Sequence, residues 1–224
     1  MKLHSLLCLS IVVVVAVASA NTMASVYSAT GDFSSTTNPA GTWGYYWSST
    51  LGSPLTLLQH QNDPQPDLKM WSNGQSQPDY TGLYWSPTAQ GYAWTNLISP
   101  NWLTLDPQNQ AVTIRWTAPT TGTWSISGEF GHADSNPQTL GIAILKDYNT
   151  ANPLLLQSFP GSGPAVPFQF DNITLNAGET IDFVAYKTED YYNLSTALSV
   201  EIVPEPATLS LLAIGGLATL RRRK

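Results

Sequence analysis

The stretch AVTIRWTAPTTGTWSISGEF, residues 111–130, decides the fold class of this 224-residue chain. At its start Val112, Ile114 and Trp116 alternate with polar residues, which is the period-two pattern of a strand with one buried face. TAPTTG then supplies turn residues, and the same alternation returns in TWSISGEF, residues 123–130. We therefore predict two strands joined as a β-hairpin.

Five further strand-like segments follow, separated by Asn-Pro, Gly-Ser-Gly-Pro and Asn-Ala-Gly turns. They are TLGIAILK, PLLLQSF, PFQFDNITL, ETIDFVAYK and ALSVEIV. Seven strands with short turns predict an all-β protein, an antiparallel jelly-roll-like β-sandwich with two packed sheets. The alternation also places Glu129 and Asp182 on outward faces, where we expect solvation.

The first part of the chain, residues 25–110, is rich in Gly, Pro, Ser, Thr and Asn and holds six of the eight tryptophans. Short strands are predicted at SVYSA, TWGYYW, LTLLQ and GLYW, between long loops. No long linker separates this part from the rest, so we predict one β-sandwich domain over residues 21–202.

Aromatic residues are the strongest binding signal in this domain. In TWGYYW, Trp43, Tyr45 and Trp47 share one strand face, while Tyr46 lies on the other. Such rings either fill the core of a sandwich that has no disulfide or stack on sugar rings. The candidate carbohydrate-binding residues are Trp43, Tyr45, Trp47, Trp71 and Trp85. The alternative is a purely structural protein without a ligand.

Motifs for catalysis are missing from the sequence. It has no Gly-x-Ser-x-Gly elbow, no His-Glu-x-x-His helix, no phosphate loop and no dinucleotide fingerprint. The segment GHADSN offers His132, Asp134 and Asn136, too few ligands for calcium, so a solvated turn is favoured. We predict no enzyme, no catalytic or metal-binding residue and no cofactor; a glycan-active enzyme is the less favoured alternative.

The first 20 residues have the pattern of a secretory signal peptide. Lys2 precedes an apolar run, and Ala18-Ser19-Ala20 forms a small-residue cleavage site. The only cysteine, Cys8, lies inside this segment, so the exported domain has no disulfide. Residues 21–205 hold four cations and fifteen acids, a net charge of −11, which argues against nucleic acid as a partner.

The chain ends in VPEPATLSLLAIGGLATLRRRK, residues 203–224. The apolar residues 207–220 would span about 21 Å as a helix, short of the roughly 30 Å hydrocarbon core of a membrane. Four cations follow, Arg221, Arg222, Arg223 and Lys224, and they would hold the end on the cytoplasmic side. A short motif, an apolar stretch and a basic end together are typical of a processed signal.

These residues closely resemble the PEP-CTERM sorting signal, with Pro204, Glu205 and Pro206 as its motif. The resemblance implies export, processing by an exosortase-type membrane enzyme, transient inner-membrane insertion of the apolar helix, and a Gram-negative envelope, surface or biofilm matrix. The body resembles members of this group in which NPAGTWGYYW stands early and LNAGETIDFVAY late, which implies a jelly roll without established activity. Together they predict an exported structural or polysaccharide-binding component.

Overall fold

The computed structural model describes residues 25–65, 67–88, 91–93, 96–189 and 192–205. The predicted signal peptide and most of the predicted sorting signal, including its apolar helix, lie outside these residues. The described residues form strands and no helix. The strands are β1 Tyr27–Ser28, β2 Trp43–Ser48, β3 Thr56–Leu57, β4 His60–Gln65, β5 Leu68–Ser72, β6 Gly82–Trp85, β7 Gly91–Ala93, β8 Asn96–Ile98, β9 Leu103–Asp106, β10 Ala111–Thr117, β11 Gly122–His132, β12 Leu140–Lys146, β13 Leu155–Phe159, β14 Val166–Leu175, β15 Thr180–Tyr186 and β16 Thr196–Pro204.

Two antiparallel sheets pack face to face, which confirms the predicted jelly-roll-like β-sandwich. The eight-stranded sheet has the order β14-β11-β16-β9-β6-β5-β4, with β1 beside β16, and the six-stranded sheet has the order β13-β12-β15-β10-β2-β3. The short β7-β8 ribbon forms a separate two-stranded sheet. Every strand pair is antiparallel.

Alternating apolar residues of both sheets meet in one large core. In β10 the side chains of Val112, Ile114 and Trp116 are fully buried, as the sequence predicts. Trp116 meets Trp124 of the opposite sheet edge to face, with ring centroids 4.8 Å apart. Such aromatic pairs add stabilisation beyond the area they bury, so this contact helps to fix the two sheets against each other.

The predicted hairpin between the strands of the opening stretch is wrong. β10 pairs with β2 and β15, whereas β11 pairs with β14 and β16 in the other sheet. The turn after β10 therefore crosses from one sheet to the other. The physical reason is that both strands bury an aromatic face, and these faces pack against each other across the core instead of lying side by side in one sheet.

The last strand, β16, lies in the interior of the eight-stranded sheet, between β11 on one side and β9 and β1 on the other. Its pairing with β11 continues to Pro204, which stands opposite Trp124. The backbone N–H of Glu205 then donates to the Thr123 carbonyl at 2.9 Å. The boundary predicted after residue 202 therefore falls inside a strand, and the sandwich includes the first two residues of the Pro-Glu-Pro motif.

Candidate functional site

The Glu205 carboxylate is bound to the outer face of the eight-stranded sheet. Its Oε1 accepts a hydrogen bond from Ser125 Oγ at 2.9 Å and another from the backbone N–H of Asn172 at 2.7 Å. Ser125 lies in β11 and Asn172 in β14, so the side chain starts beside β16 and reaches across β11. We call Ser125 Oγ and the Asn172 N–H the carboxylate site.

A β-bulge explains why the Asn172 N–H is available. Trp124 pairs with Ile173 and Ile126 pairs with Phe170. One residue of β11 separates these two pairs, whereas two residues of β14 separate them. Asn172, one of these two, has φ of 60°. Asn tolerates this left-handed backbone better than most residues. A bulge leaves a residue out of the ladder, so the N–H can point to a ligand instead of a strand.

Most of the aromatic residues predicted to bind carbohydrate belong to the core. Trp43, Tyr45 and Trp71 are at most 5% exposed. Each also has its polar atom in use: Trp43 Nε1 donates to Asp32, Trp71 Nε1 donates to the Ser34 carbonyl, and the Tyr45 hydroxyl accepts the Ser34 N–H. Rings this deeply buried cannot stack on a sugar unless the sandwich opens.

The other two candidates, Trp47 and Trp85, are half-buried and pack against the edge of the core. Trp85 also contacts Phe33, with ring centroids 5.3 Å apart. A binding role for these two tryptophans stays a prediction.

Three half-buried tyrosines, Tyr46, Tyr148 and Tyr186, lie on the outer face of the six-stranded sheet, and we call them the tyrosine face. Tyr186 covers Gly141, where an added Cβ would fall on the para end of the ring, almost equidistant from Cε1 and Cε2. That geometry requires the ring to lie flat on the sheet. One side of the ring therefore packs on glycine and the other faces outward.

Tyr148 reaches this face from the turn after β12. Its hydroxyl lies 3.1 Å from Ser48 Oγ of β2 and accepts the Gly52 N–H at 3.3 Å. Beneath it are the buried apolar side chains of Ala111, Ala143, Leu145 and Val184. Tyr46 lies against Gly44, so small residues support two of the three rings.

An ion pair completes the tyrosine face. Arg115 donates to both oxygens of Asp182, Nε to Oδ1 at 2.6 Å and Nη2 to Oδ2 at 3.1 Å, and its guanidinium lies 5.4 Å from the Tyr46 ring centroid. Burial raises the pKa of Asp182 while Arg115 counteracts the rise. Burial would lower the pKa of Arg115, but the hydrogen bonds to Asp182 raise it overall. The expected solvation of Asp182 is wrong, because its side chain is completely buried.

A second buried acid, Asp106, lies on the outer face of the eight-stranded sheet. Its Oδ1 accepts from Gln108 Nε2 at 2.8 Å, and its Oδ2 lies 3.3 Å from the Tyr84 hydroxyl and 3.5 Å from Asn96 Nδ2. Burial raises the pKa of Asp106 to about 6; these hydrogen bonds oppose the rise, and the nearby Asp134 adds to it. This carboxyl can therefore exchange a proton near neutral pH.

The loop considered for calcium is arranged differently from a solvated turn. His132 stacks on Phe159 with centroids 4.2 Å apart, and Asp134 is buried and accepts the Asn136 N–H at 3.1 Å. In the part of the chain that the structure describes, no three His, Cys, Asp or Glu side chains are grouped so that they could hold a metal ion. The described residues also contain no helix that is long and apolar enough to span a membrane.

These features define a β-sandwich whose last strand leads directly into a C-terminal peptide. Residues 203–224 of that peptide match the family model described as PEP-CTERM protein-sorting motif. The chain thus carries a PEP-CTERM sorting signal, which implies export to the cell envelope and processing by exosortase. The predicted resemblance is confirmed for this segment. No curated protein matches the chain.

Among solved structures, the chain is similar to carbohydrate-binding modules at low identity. The Podospora anserina GH26-CBM35 β-(1,4)-mannanase has 14% identity and a TM-score of 0.32 over 63% of this chain and 28% of that one. The family 35 carbohydrate binding module from Clostridium thermocellum has 14% identity and a TM-score of 0.30 over 51% and 83%. CBM35 from Paenibacillus barcinonensis has 14% identity and a TM-score of 0.27 over 72% and 98%.

This chain therefore spans less than a third of the mannanase. TM-scores this low do not support a conclusion about fold or function. The fold is assigned from the strand order and register of this chain.

The tyrosine face was not predicted from the sequence, because most of its contacts depend on the order of the strands. The one local indication in the sequence is Gly44, two residues before Tyr46, because that spacing places the glycine and the ring on the same strand face. Tyr186 and Gly141 are neighbours only through the pairing of β15 with β12, and Tyr148 lies in a turn. Only the Tyr46 pair could have been found before the sheet order was known.

Proposed function

We propose that this exported protein is a non-catalytic component of a Gram-negative cell surface or biofilm matrix, and that its sandwich binds extracellular polysaccharide. The observation that carries the proposal is the tyrosine face. Flat aromatic rings with a hydroxyl at the rim offer an apolar face and a polar edge, the combination that a sugar ring presents in return.

The charges of this face favour a neutral polysaccharide. Arg115 and Asp182 neutralise each other, and two hydrogen bonds to the carboxylate fix the orientation of the guanidinium. The supporting side chains are also fixed before any ligand arrives, because Tyr186 rests on Gly141 and Tyr148 is tied to the Ser48 strand. Preorganised rings lose little conformational entropy on binding, which favours affinity. Trp47 and Trp85 are secondary candidates for contacts at the sandwich edge.

The C-terminal segment supplies the delivery part of the proposal. Pro204, Glu205 and Pro206 are the residues that the exosortase would recognise. The apolar residues 207–220 would insert transiently into the inner membrane, with Arg221, Arg222, Arg223 and Lys224 on its cytoplasmic side. The sandwich would then be released or attached at the surface once the signal has been processed.

Sedimentation with insoluble neutral matrix polysaccharides tests the binding. We expect wild type to be retained and Tyr186→Ala to bind at least about tenfold more weakly, because truncating a central aromatic hot spot typically costs about 2 kcal/mol or more. Tyr186→Phe keeps the ring and should retain most binding. Tyr192→Ala, which removes an exposed tyrosine outside this face, is the matched control.

Three outcomes would contradict the proposal. Equal retention of wild type and Tyr186→Ala would exclude the tyrosine face as the binding site. Failure of wild type to bind any matrix polymer would favour the purely structural alternative. New reducing ends released from the polymer would show a glycan-active enzyme instead.

A further inference from the structure

The carboxylate site holds a residue of the sorting signal itself, which no requirement of the sandwich fold explains. Glu205 is the acid of the Pro-Glu-Pro motif, and its Oε1 accepts two hydrogen bonds from two different strands. Its backbone N–H is tied to a third group, the Thr123 carbonyl. An enzyme that reads this acid must therefore compete with three hydrogen bonds that the sandwich already provides.

We propose that Ser125 Oγ and the Asn172 N–H form a binding site for the sorting carboxylate, and that exosortase acts only after Glu205 has left this site. The proposal rests on processing of the chain by exosortase and is independent of polysaccharide binding. Folding of the sandwich thus lowers the rate of processing, since each molecule must first release the end of β16.

The geometry favours a specific site over a chance surface contact. Ser125 lies on the outer face of β11, as Trp124 and Ile126 on either side of it are buried in the core. Val203 stands opposite Ser125 and therefore shares its outer face. Glu205 follows two residues later, so its side chain also points to the outer face. The bulge in β14 supplies the second donor from a residue with a positive φ, a conformation that a plain strand would not contain.

The strand that leads to the carboxylate site is also paired on its other side. There β1 pairs with the end of that strand, Tyr27 with Ile202 and Ser28 with Glu201. β16 is therefore paired on both sides as far as Ile202, whereas Pro204 is paired with β11 on one side among the described strands. Proteases generally need an extended, accessible segment, so release of the residues after Ile202 must precede capture by a membrane enzyme.

The expected rate change follows from the hydrogen bonds. A hydrogen bond to a charged group is stronger than one between neutral groups, and partial exposure of Glu205 reduces its contribution. We expect Ser125→Ala to raise the population of the released form, and hence the processing rate, by about threefold to tenfold. Ser125→Thr keeps the hydroxyl and should process like wild type.

The experiment follows the full chain in a host that contains its exosortase. Precursor and processed forms are separated after a pulse of synthesis, and mass spectrometry identifies the new C-terminus. Ser127→Ala, on the same outer face of β11, is the matched control. Amide hydrogen exchange of Asn172 and Glu205 provides a readout that does not depend on the enzyme.

The proposal predicts faster processing and faster exchange at both amides for Ser125→Ala, and wild-type values for Ser125→Thr and Ser127→Ala. Faster exchange without faster processing would overturn it, because release would then not limit the enzyme. Equal acceleration by Ser127→Ala would also overturn it, since general destabilisation would explain both variants. Lack of processing in the wild type would overturn this proposal and exosortase processing together, whereas failed polysaccharide binding would leave it standing.

Discussion

Asp182 and Asp106 are buried carboxylates on opposite outer faces of this sandwich, and they are stabilised by different partners. On the six-stranded sheet, Asp182 has a cation, Arg115, bonded to both of its oxygens. On the eight-stranded sheet, the described donors to Asp106 are neutral, among them Gln108 and Tyr84, and a second acid, Asp134, lies nearby. Both acids are almost inaccessible to solvent, so the difference lies in the partner and not in the burial.

The comparison shows why burial of an acid does not by itself set its charge. A guanidinium in bidentate contact offsets much of the desolvation cost of a carboxylate, whereas amides and hydroxyls offset less. We therefore expect Asp182 to keep its charge as long as Arg115 is present. Asp106 should instead take up a proton as the pH approaches its raised pKa of about 6.

The largest expected effect comes from breaking the ion pair. Arg115→Met removes the cation and leaves the Asp182 carboxylate buried without a counter-charge. We expect the free energy of unfolding to fall by about 3–5 kcal/mol, the usual cost of removing one partner of a buried pair. Urea denaturation at pH 7, followed by tryptophan fluorescence, measures this change.

Two controls separate charge pairing from lost packing. Lys146→Met breaks the Lys146–Glu179 pair, which is 2.9 Å long but exposed to solvent, and should cost far less stability than Arg115→Met because water screens the pair. The double variant Arg115→Met, Asp182→Leu removes both charges and should recover most of the loss. A double variant as unstable as Arg115→Met alone would show that packing, and not the unpaired acid, causes the effect.

The second prediction concerns the pH dependence that Asp106 gives to stability. Its pKa is raised from 3.8 to about 6 in the folded protein, so the folded state binds this proton more tightly than the unfolded chain does. Stability contributed by Asp106 is therefore greatest below pH 4 and is lost as the pH rises to about 6. A shift of this size corresponds to about 3 kcal/mol.

Asp106→Asn should remove that pH dependence, because an amide does not titrate. The difference in unfolding free energy between wild type and the variant, measured by urea titration from pH 4 to 7, should therefore change by about 2.4 kcal/mol, most of the total. Asp134→Asn removes the nearby acid that raises the pKa further, so it should reduce the dependence without abolishing it. Parallel curves for wild type and Asp106→Asn would contradict a raised pKa.

The strands after residue 110 could be predicted from sequence because alternation reports which face of a strand is buried. For example, TWSISGEF gives the buried Trp124, Ile126 and Phe130 correctly. The same pattern does not say which strands are neighbours, so β10 and β11 were wrongly joined in one sheet. Strand order depends on which apolar faces fit together in the core, a property of the whole chain.

The environment of outward-facing residues was even less predictable. Alternation correctly places Asp182 on an outer face, but a turn carrying Tyr148 returns over that face and the acid is buried. Tyr148 and its neighbour Asp147 both have positive φ, with values of 55° and 51°. Two non-glycine residues in this conformation have no clear local sequence signal, because the contacts of the whole face hold them there.

The smallest expected effect comes from the glycine that supports the Tyr186 ring. A Cβ on Gly141 would fall on this ring, so Gly141→Ala must move the ring away from the sheet. The ring is half-buried and can turn outward, and we therefore expect a loss of only about 1–2 kcal/mol in unfolding free energy. Polysaccharide retention should fall at the same time, because the flat ring is the contact that we assign to the sugar.

Gly131→Ala on the other sheet is the matched control for this loss. Its added methyl would meet Ala197 Cβ at 3.6 Å, an ordinary contact, so stability and binding should both stay close to wild type. If Gly141→Ala lost stability but kept full retention, the ring would be a packing element and the ligand would bind elsewhere. If Gly141→Ala instead lost retention at nearly unchanged stability, the tyrosine face would be the surface that binds the ligand. The two outer faces would then differ in function as well as in the partner of their buried acid.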